Sequence, residues 1–167
     1  MDADVKKTAL RMIPYGLYVL TAQNKEGKVG AGTINWVTQV SFEPPLVVIG
    51  VKAGSNIHTI IVESGAFTLN VLGKDQGDLA YKFFKPAEKE GATIAGEPFR
   101  PGSTGSPVLE NVPAFIECKL VEGVERGDHS VFVGEVVDVG VSAPPEGRPD
   151  DATLWLKDLG ENVFYGG

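Results

Sequence analysis

Cysteine is almost absent from this chain. Of 167 residues only Cys118 carries a thiol, which excludes an internal disulfide and any metal or iron–sulfur site built from several cysteines. It stands in PAFIECKLVE, where Ala114, Ile116 and Leu120 share its face of a strand pattern, the setting of a buried structural thiol and not of a nucleophile. Histidine is scarce as well, with His58 and His129 the only two, so covalent catalysis has few candidates and chemistry borrowed from a cofactor is the better expectation. No basic run exceeds Lys6-Lys7, the net charge is -7 and the pI is near 4.8. That leaves no electrostatic footprint for a phosphate backbone and excludes nucleic acid as an expected partner. The apolar runs, such as LVVI at 46–49, are far too short to span a membrane, and the MDAD opening lacks a basic signal-peptide start. No membrane association is expected, and the cytoplasm is the expected location. The GxGxxG, P-loop, HExxH and GxSxG motifs are all missing, which removes the common nucleotide, zinc-protease and serine-hydrolase readings.

What is present fits one globular domain over residues 1–167, with 43% hydrophobic and 22% charged residues. Residues 4–13 have the spacing of a modest amphipathic helix that Pro14 stops, expected to pack across a barrel end. GLYVLTAQN at 16–24 and a strand over 29–40 flank the turn residues NKEGK, which is a hairpin signature. After Glu43-Pro44-Pro45 the run LVVIGV is apolar on both faces and reads as a central strand. A short helix over 57–64 capped by Ser55 or Asn56, a strand over 66–72 and a second short helix over 76–84 follow. Breakers recur so densely over 85–107 that no regular element is expected there, only a functional excursion. Strands over 112–124 and 130–141 are joined by a second hairpin turn, 144–151 is loop, and 153–156 and 163–165 read as short edge strands. About seven strands with two or three short helices, joined mostly by hairpins, predict a mainly β fold, an antiparallel barrel with helical insertions.

Three stretches carry chemistry. In GAGTINWVTQVSFEPPLVVIG, residues 30–50, Thr33, Asn35, Thr38, Gln39 and Ser41 place polar groups along a strand, and Gly30 and Gly32 let another backbone or a planar ring approach. This is either a surface for a flat ligand or an ordinary strand edge facing water. In KAGSNIHT, residues 52–59, a helix N-terminus offers unpaired N–H groups beside Lys52, Ser55 and Asn56. Three positions after Ser55 stands His58, where a self-capping helix would carry Glu, so the helix supplies no carboxylate of its own. An anion site and a plain serine-capped helix both fit. The third, Gly127-Asp128-His129, is a common turn pair before a lone histidine and by itself a weak signal.

In order along the chain, GTINWVTQVSFEPPL, KAGSNIHT, SGAFTLNVL, QGDLAYKFF, TGSPVLENVPAFIECKL and GDHSVFVGEVV resemble the flavin reductase-like family of FMN-binding split β-barrels. GLYVLTA with INWVTQVSFEPPL is most similar to the flavin reductase modules linked to flavodiiron and rubredoxin-like proteins. The resemblance implies an oxidoreductase that binds FMN, or FAD, and transfers hydride from NADH or NADPH to it. Thr33, Asn35, Trp36, Thr38, Gln39, Val40 and Ser41 would line the isoalloxazine ring, and Lys52, Ser55, Asn56, His58 and Thr59 would hold the phosphate. Phe83 and Phe84 would border the pocket, with His129 orienting the incoming nicotinamide. A homodimer is implied, since the open edges of a split barrel need covering. Trp36 stands where the family's monooxygenase-linked reductases carry a small residue. A tryptophan covering the ring would make the protein an FMN electron carrier that exchanges electrons with a redox partner protein; a tryptophan in the core would not.

Overall fold

The computed structural model describes residues 1–167. Eleven strands and three α-helices form around two β-sheets. The strands of the larger sheet are β1 (Tyr18–Gln23), β2 (Val29–Ile34), β3 (Val37–Ser41), β4 (Leu46–Lys52), β5 (Ala66–Val71), β10 (Ala114–Glu125) and β11 (His129–Val141). They run antiparallel in the order β2-β1-β5-β10-β11-β4-β3, the mainly β antiparallel arrangement expected from the hairpin spacing and the split-barrel class implied by the family resemblance.

One expected strand divides in two. Residues 29–40 do not form a single kinked strand: β2 pairs with β1 at one edge of the sheet, and β3 pairs with β4 at the other. Asn35 and Trp36 are the corner between them. The chain thus joins the two edges of the sheet covalently, and strand alternation alone carries no record of such a change of partner.

Helix α2 (Asn56–Ser64) packs Ile57, Ile60 and Ile61 against the face of the sheet formed by Leu20, Ala22, Val47, Ile49, Val51, Phe67, Leu69, Cys118 and Phe132. Its start is capped by Ser55, whose Oγ accepts from His58 N at 3.3 Å, and Gly65 in the left-handed region ends it. The other face, with Leu17, Val19, Val29 and Leu72, is covered by Leu79, Ala80 and Phe83 of α3 (Gly77–Lys82) and its exit, and by Leu154 and Leu156. The first helix, α1 (Ala3–Arg11), is capped by Asp2, which accepts from Asp4 N and Val5 N at 3.0 and 2.9 Å. None of its residues is buried, so it does not seal a barrel end as its spacing suggested.

Residues 85–107 are more regular than their breakers imply. β6 (Lys89–Glu90), β7 (Thr93–Ile94), β8 (Glu97–Pro101) and β9 (Pro107–Leu109) make a four-stranded antiparallel meander. Gly91, Gly96 and Gly105 all adopt positive φ at its turns, so the glycines terminate strands instead of abolishing them. The meander is pinned by buried Ile94 and Leu109, and by Asn70, whose Oδ1 accepts from Leu109 N at 2.8 Å. Toward the C-terminus, Pro149–Ala152 and Leu156–Leu159 are 3-10 turns, and only single bridges at Trp155 and Thr153 remain of the expected edge strands.

Candidate functional site

A cavity of about 610 Å³ opens where β2, the end of β4 and the start of α2 meet. Ala31, Gly32, Thr33 and Ile34 of β2 form one wall with Asn35. Gly50, Val51 and Lys52 form another, Ser55, Asn56 and Ile57 the floor, and residues 83–87, His129, Leu156 and residues 163–165 the rim.

Two glycines set this shape. Helix α2 crosses β2 so closely that a Cβ on Gly30 would lie 2.7 Å from the Ile57 Cα, which holds the helix start against the strand. On β4, a Cβ on Gly50 would lie 3.0 Å from the Trp36 ring. Trp36 is half-buried on that glycine, and its carbonyl accepts from Gly50 N at 2.9 Å.

The charge of the cavity runs against that of the protein. In a chain of net charge -7, the cavity is lined by Lys52 and Lys85 and by no carboxylate. At its floor the backbone N–H groups of Asn56 and Ile57 lack acceptors within the chain, as the first turn of a helix dictates. The nearby side chains are partly committed: Ser55 Oγ donates to Lys52 O at 2.8 Å, and Asn56 Nδ2 to Val29 O at 3.1 Å. Thr33 is tied to α3 and its exit, its hydroxyl donating to Ala80 O at 2.8 Å and its N–H to Phe83 O at 3.0 Å. Lys52 precedes the free helical N–H groups by four and five residues, and Lys85 adds a second cation to the rim of the same cavity, a composition that suits an anion.

His129 closes the opposite side. Its Nδ1 lies 3.0 Å from Asp128 Oδ1 and its Nε2 2.7 Å from the Tyr165 hydroxyl. Trp36 packs edge-on against it with ring centroids 4.6 Å apart, and lies 5.4 Å from the Tyr165 ring. The hydrogen bond and charge of His129 hold the Asp128 carboxyl below its ordinary range. Burial, with the nearby Asp128 charge, pushes the Tyr165 phenol up.

Of the site residues expected from sequence, the cavity gathers Thr33, Asn35, Lys52, Ser55, Asn56, Phe83, Phe84 and His129. Trp36 stands just behind its wall. Thr38, Gln39, Val40 and Ser41 do not line it; they lie on edge strand β3, mostly exposed. His58 and Thr59 also lie outside the lining. The imidazole of His58 reaches Ser130 Oγ at 2.8 Å and packs on Phe132, because three residues into a helix its side chain faces β11 and not the helix mouth. Sequence reasoning missed Lys85, Phe164 and Tyr165. Lys85 follows the Phe83-Phe84 pair directly, and adjacency to a pocket border was the available signal.

The geometry agrees with comparisons to other proteins. Residues 10–158 match the family model described as "Flavin reductase like domain". A probable flavin reductase of Rhizobium meliloti is 33% identical over 135 residues, 81% of this chain and 42% of the relative. Diflavin flavoprotein A 1 of Synechocystis sp. is 34% identical over 148 residues, 88% of this chain and 25% of the relative. The chain therefore spans less than half the length of these two. The solved styrene monooxygenase flavin reductase of Pseudomonas putida S12 superposes with a TM-score of 0.69 at 28% identity, covering 82% of this chain and 87% of that one. With nine tenths of its length inside one family model and the matching split-barrel fold, the chain belongs to the flavin reductase-like domain family.

Proposed function

We propose that residues 1–167 form one flavin-binding domain that takes FMN in the 610 Å³ cavity, and that the chain is an NAD(P)H-dependent flavin reductase. The observation that carries this reading is the cationic cavity at the start of α2 in an acidic chain. Its donor set suits a phosphate monoester, since Lys52 and two free helical N–H groups lie close in sequence at the start of α2, Lys85 adds a cation at the rim, and no carboxylate is among the lining residues. The ring would lie along Thr33, Gly32 and Asn35, where the glycine leaves the strand backbone approachable. When bound, the flavin supplies a hydride acceptor; the residues of the chain supply binding, orientation and exclusion of water. His129, on the side that Tyr165 covers, would orient the incoming nicotinamide, and no residue is needed as a general base. The names of the relatives support reduction of flavin, and the styrene monooxygenase relative supports an oxygenase as the taker of reduced flavin.

The test is selective for phosphate. Lys52→Ala lowers FMN affinity about tenfold to a hundredfold, the loss of a charge-assisted contact, and leaves riboflavin within about threefold. Equal weakening of both ligands would remove the phosphate assignment.

A second reading has its own observation: Trp36, His129 and Tyr165 together cover one side of the cavity. A protein closed to nicotinamide would be an FMN electron carrier serving a redox partner protein. Anaerobic addition of NADH and NADPH separates the two, because bleaching of the flavin absorbance by either supports the reductase, and bleaching only by a reduced protein supports the carrier. In either case we propose a homodimer. Edge strand β3 leads into Phe42, 89% exposed, and Val121, Val137, Val139 and Val141 are exposed on β10 and β11. Thr38, Gln39, Val40 and Ser41 would then face the subunit boundary and not the cavity of their own chain.

A further inference from the structure

Residues 163–165 border the cavity, and the segment 163–167 is not stitched into either sheet. The single backbone hydrogen bond they make is local, from Val163 N to Gly160 O at 3.2 Å. Side chains supply the other ties: Asn35 Nδ2 donates to Tyr165 O at 3.0 Å, the Tyr165 hydroxyl meets His129 Nε2 at 2.7 Å, and Arg11 Nε donates to Gly166 O at 3.2 Å. The Arg11 guanidinium also lies 4.2 Å above the Phe164 ring. A second cavity of about 540 Å³ lies along the same segment, so that Val163, Phe164 and Tyr165 belong to the walls of both.

We infer that residues 163–167 are a removable strap and that Tyr165 governs access of a second planar ligand, the nicotinamide dinucleotide, to the cavity. The identity of that ligand rests on the flavin reading; the strap does not. With the strap in place, 610 Å³ is room for one ligand of cofactor size, so the first ligand needs no displacement. A hydride donor must then come into contact with the first ring, and the His129 side of the cavity is already taken by the Tyr165 phenol. A segment held by side-chain ties and no strand ladder is the kind that opens locally, and the second cavity, which the same side chains line, adjoins it. Binding of the second ligand is weakened by the fraction of time the strap is closed.

Chymotrypsin followed by mass spectrometry, which reports loss of the residues after Phe164 or Tyr165, counts open straps directly. Tyr165→Phe keeps the ring and the cleavage site but removes the hydroxyl tie to His129. Its cleavage in the absence of flavin is expected to be about fivefold faster than in the parent chain. NAD+ and NADP+, as non-reducing probes titrated into the FMN-loaded protein, should bind more tightly by the same factor, since one closing equilibrium governs both readouts. Unchanged cleavage in Tyr165→Phe overturns the strap. Faster cleavage with unchanged or weaker binding of both dinucleotides overturns the role of Tyr165 in access. Failure of the parent chain to bind FMN would count against the flavin reading alone, and the cleavage comparison would still decide the strap.

Discussion

Replacing Gly30 with Ala tests whether the contact between β2 and α2 builds the cavity floor. Neither Gly30 nor Gly32 has positive φ, so the backbone accepts alanine at both and only space distinguishes them. At Gly30 the new Cβ would sit 2.7 Å from the Ile57 Cα and 3.2 Å from its N. Both are backbone atoms of a buried helix start, so α2 must back away by roughly 0.7 Å to reach ordinary contact. Overpacking of that kind costs about 1–3 kcal/mol, and a rigid backbone neighbour places this case near the upper end. For a domain of this size, about 3 kcal/mol lowers Tm by roughly 6–12 °C. At Gly32 the nearest atoms to a new Cβ lie 4.0 Å away. Gly32→Ala should therefore keep its Tm within about 2 °C, the expected gain from a less flexible unfolded chain being under 1 kcal/mol. Because Gly32 lines the cavity, its methyl should instead be felt in flavin affinity. Thermal melts of the two variants, with FMN titrations at a temperature where both are folded, separate the effects. Equal melting temperatures for the two variants would refute the close approach.

Two further outcomes concern buried groups on β10. Burial, reinforced by the neighbouring Glu117 charge, pushes the Cys118 thiol up to about 12; iodoacetamide at pH 8 should leave the native chain unlabelled and modify it fully in denaturant, and rapid native labelling would contradict the packing. Burial alone would raise the Glu117 carboxyl, but the N–H and hydroxyl groups of Ser103 and Thr104 converge on it at 2.7–3.2 Å and hold it below its ordinary value. The unfolded chain then takes up the proton first as pH falls. This contribution to stability is complete above the ordinary glutamate range, near 4.3, and is lost as pH falls through the lower folded value. Glu117→Gln should cost about 1–3 kcal/mol at pH 7, because an amide cannot accept from all four donors. Its urea midpoint should also change less between pH 6 and pH 3 than that of the parent chain; an unchanged acid limb would refute the assignment.

The hairpins were legible because two signals agreed at each: alternation with period two in the strands, and glycine or asparagine where the turn needed them. NKEGK between β1 and β2 and RGD between β10 and β11 are examples. The anion cradle was half legible. Ser55 announced the helix start and Lys52 its cation, but the direction of His58 depends on which element packs beside α2, a long-range fact. The meander over 85–107 was hidden because strands of two residues, such as Lys89–Glu90 and Thr93–Ile94, are too short to show a period. The strap was hidden for a different reason: Phe164 and Tyr165 are placed by single contacts with Arg11, Asn35 and His129, from distant parts of the chain.

The position of the cavity follows from where pairing stops. On the side of β4 facing β3, the ladder covers Leu46 to Ile49 and no further; the chain turns away at Trp36, whose carbonyl takes the N–H of Gly50 as the last tie. Val51 and Lys52 thus continue β4 beyond its partner strand, while on the other side they remain paired with Ser130 and His129 of β11. Across the opening stands β2, whose own ladder runs only to β1. A sheet closed by hydrogen bonds along its whole length would have no such opening. Here the two-residue corner joins the edges covalently but leaves them unpaired at one end, and the start of α2, held on Gly30, fills the gap only as far as its first turn. The unpaired strand end and the unpaired helical N–H groups face the same space. The features that leave the barrel incomplete are therefore the ones that give the cavity its anion-binding floor, and a change that lengthened the β3–β4 ladder past Ile49 would remove the site before it disturbed the core.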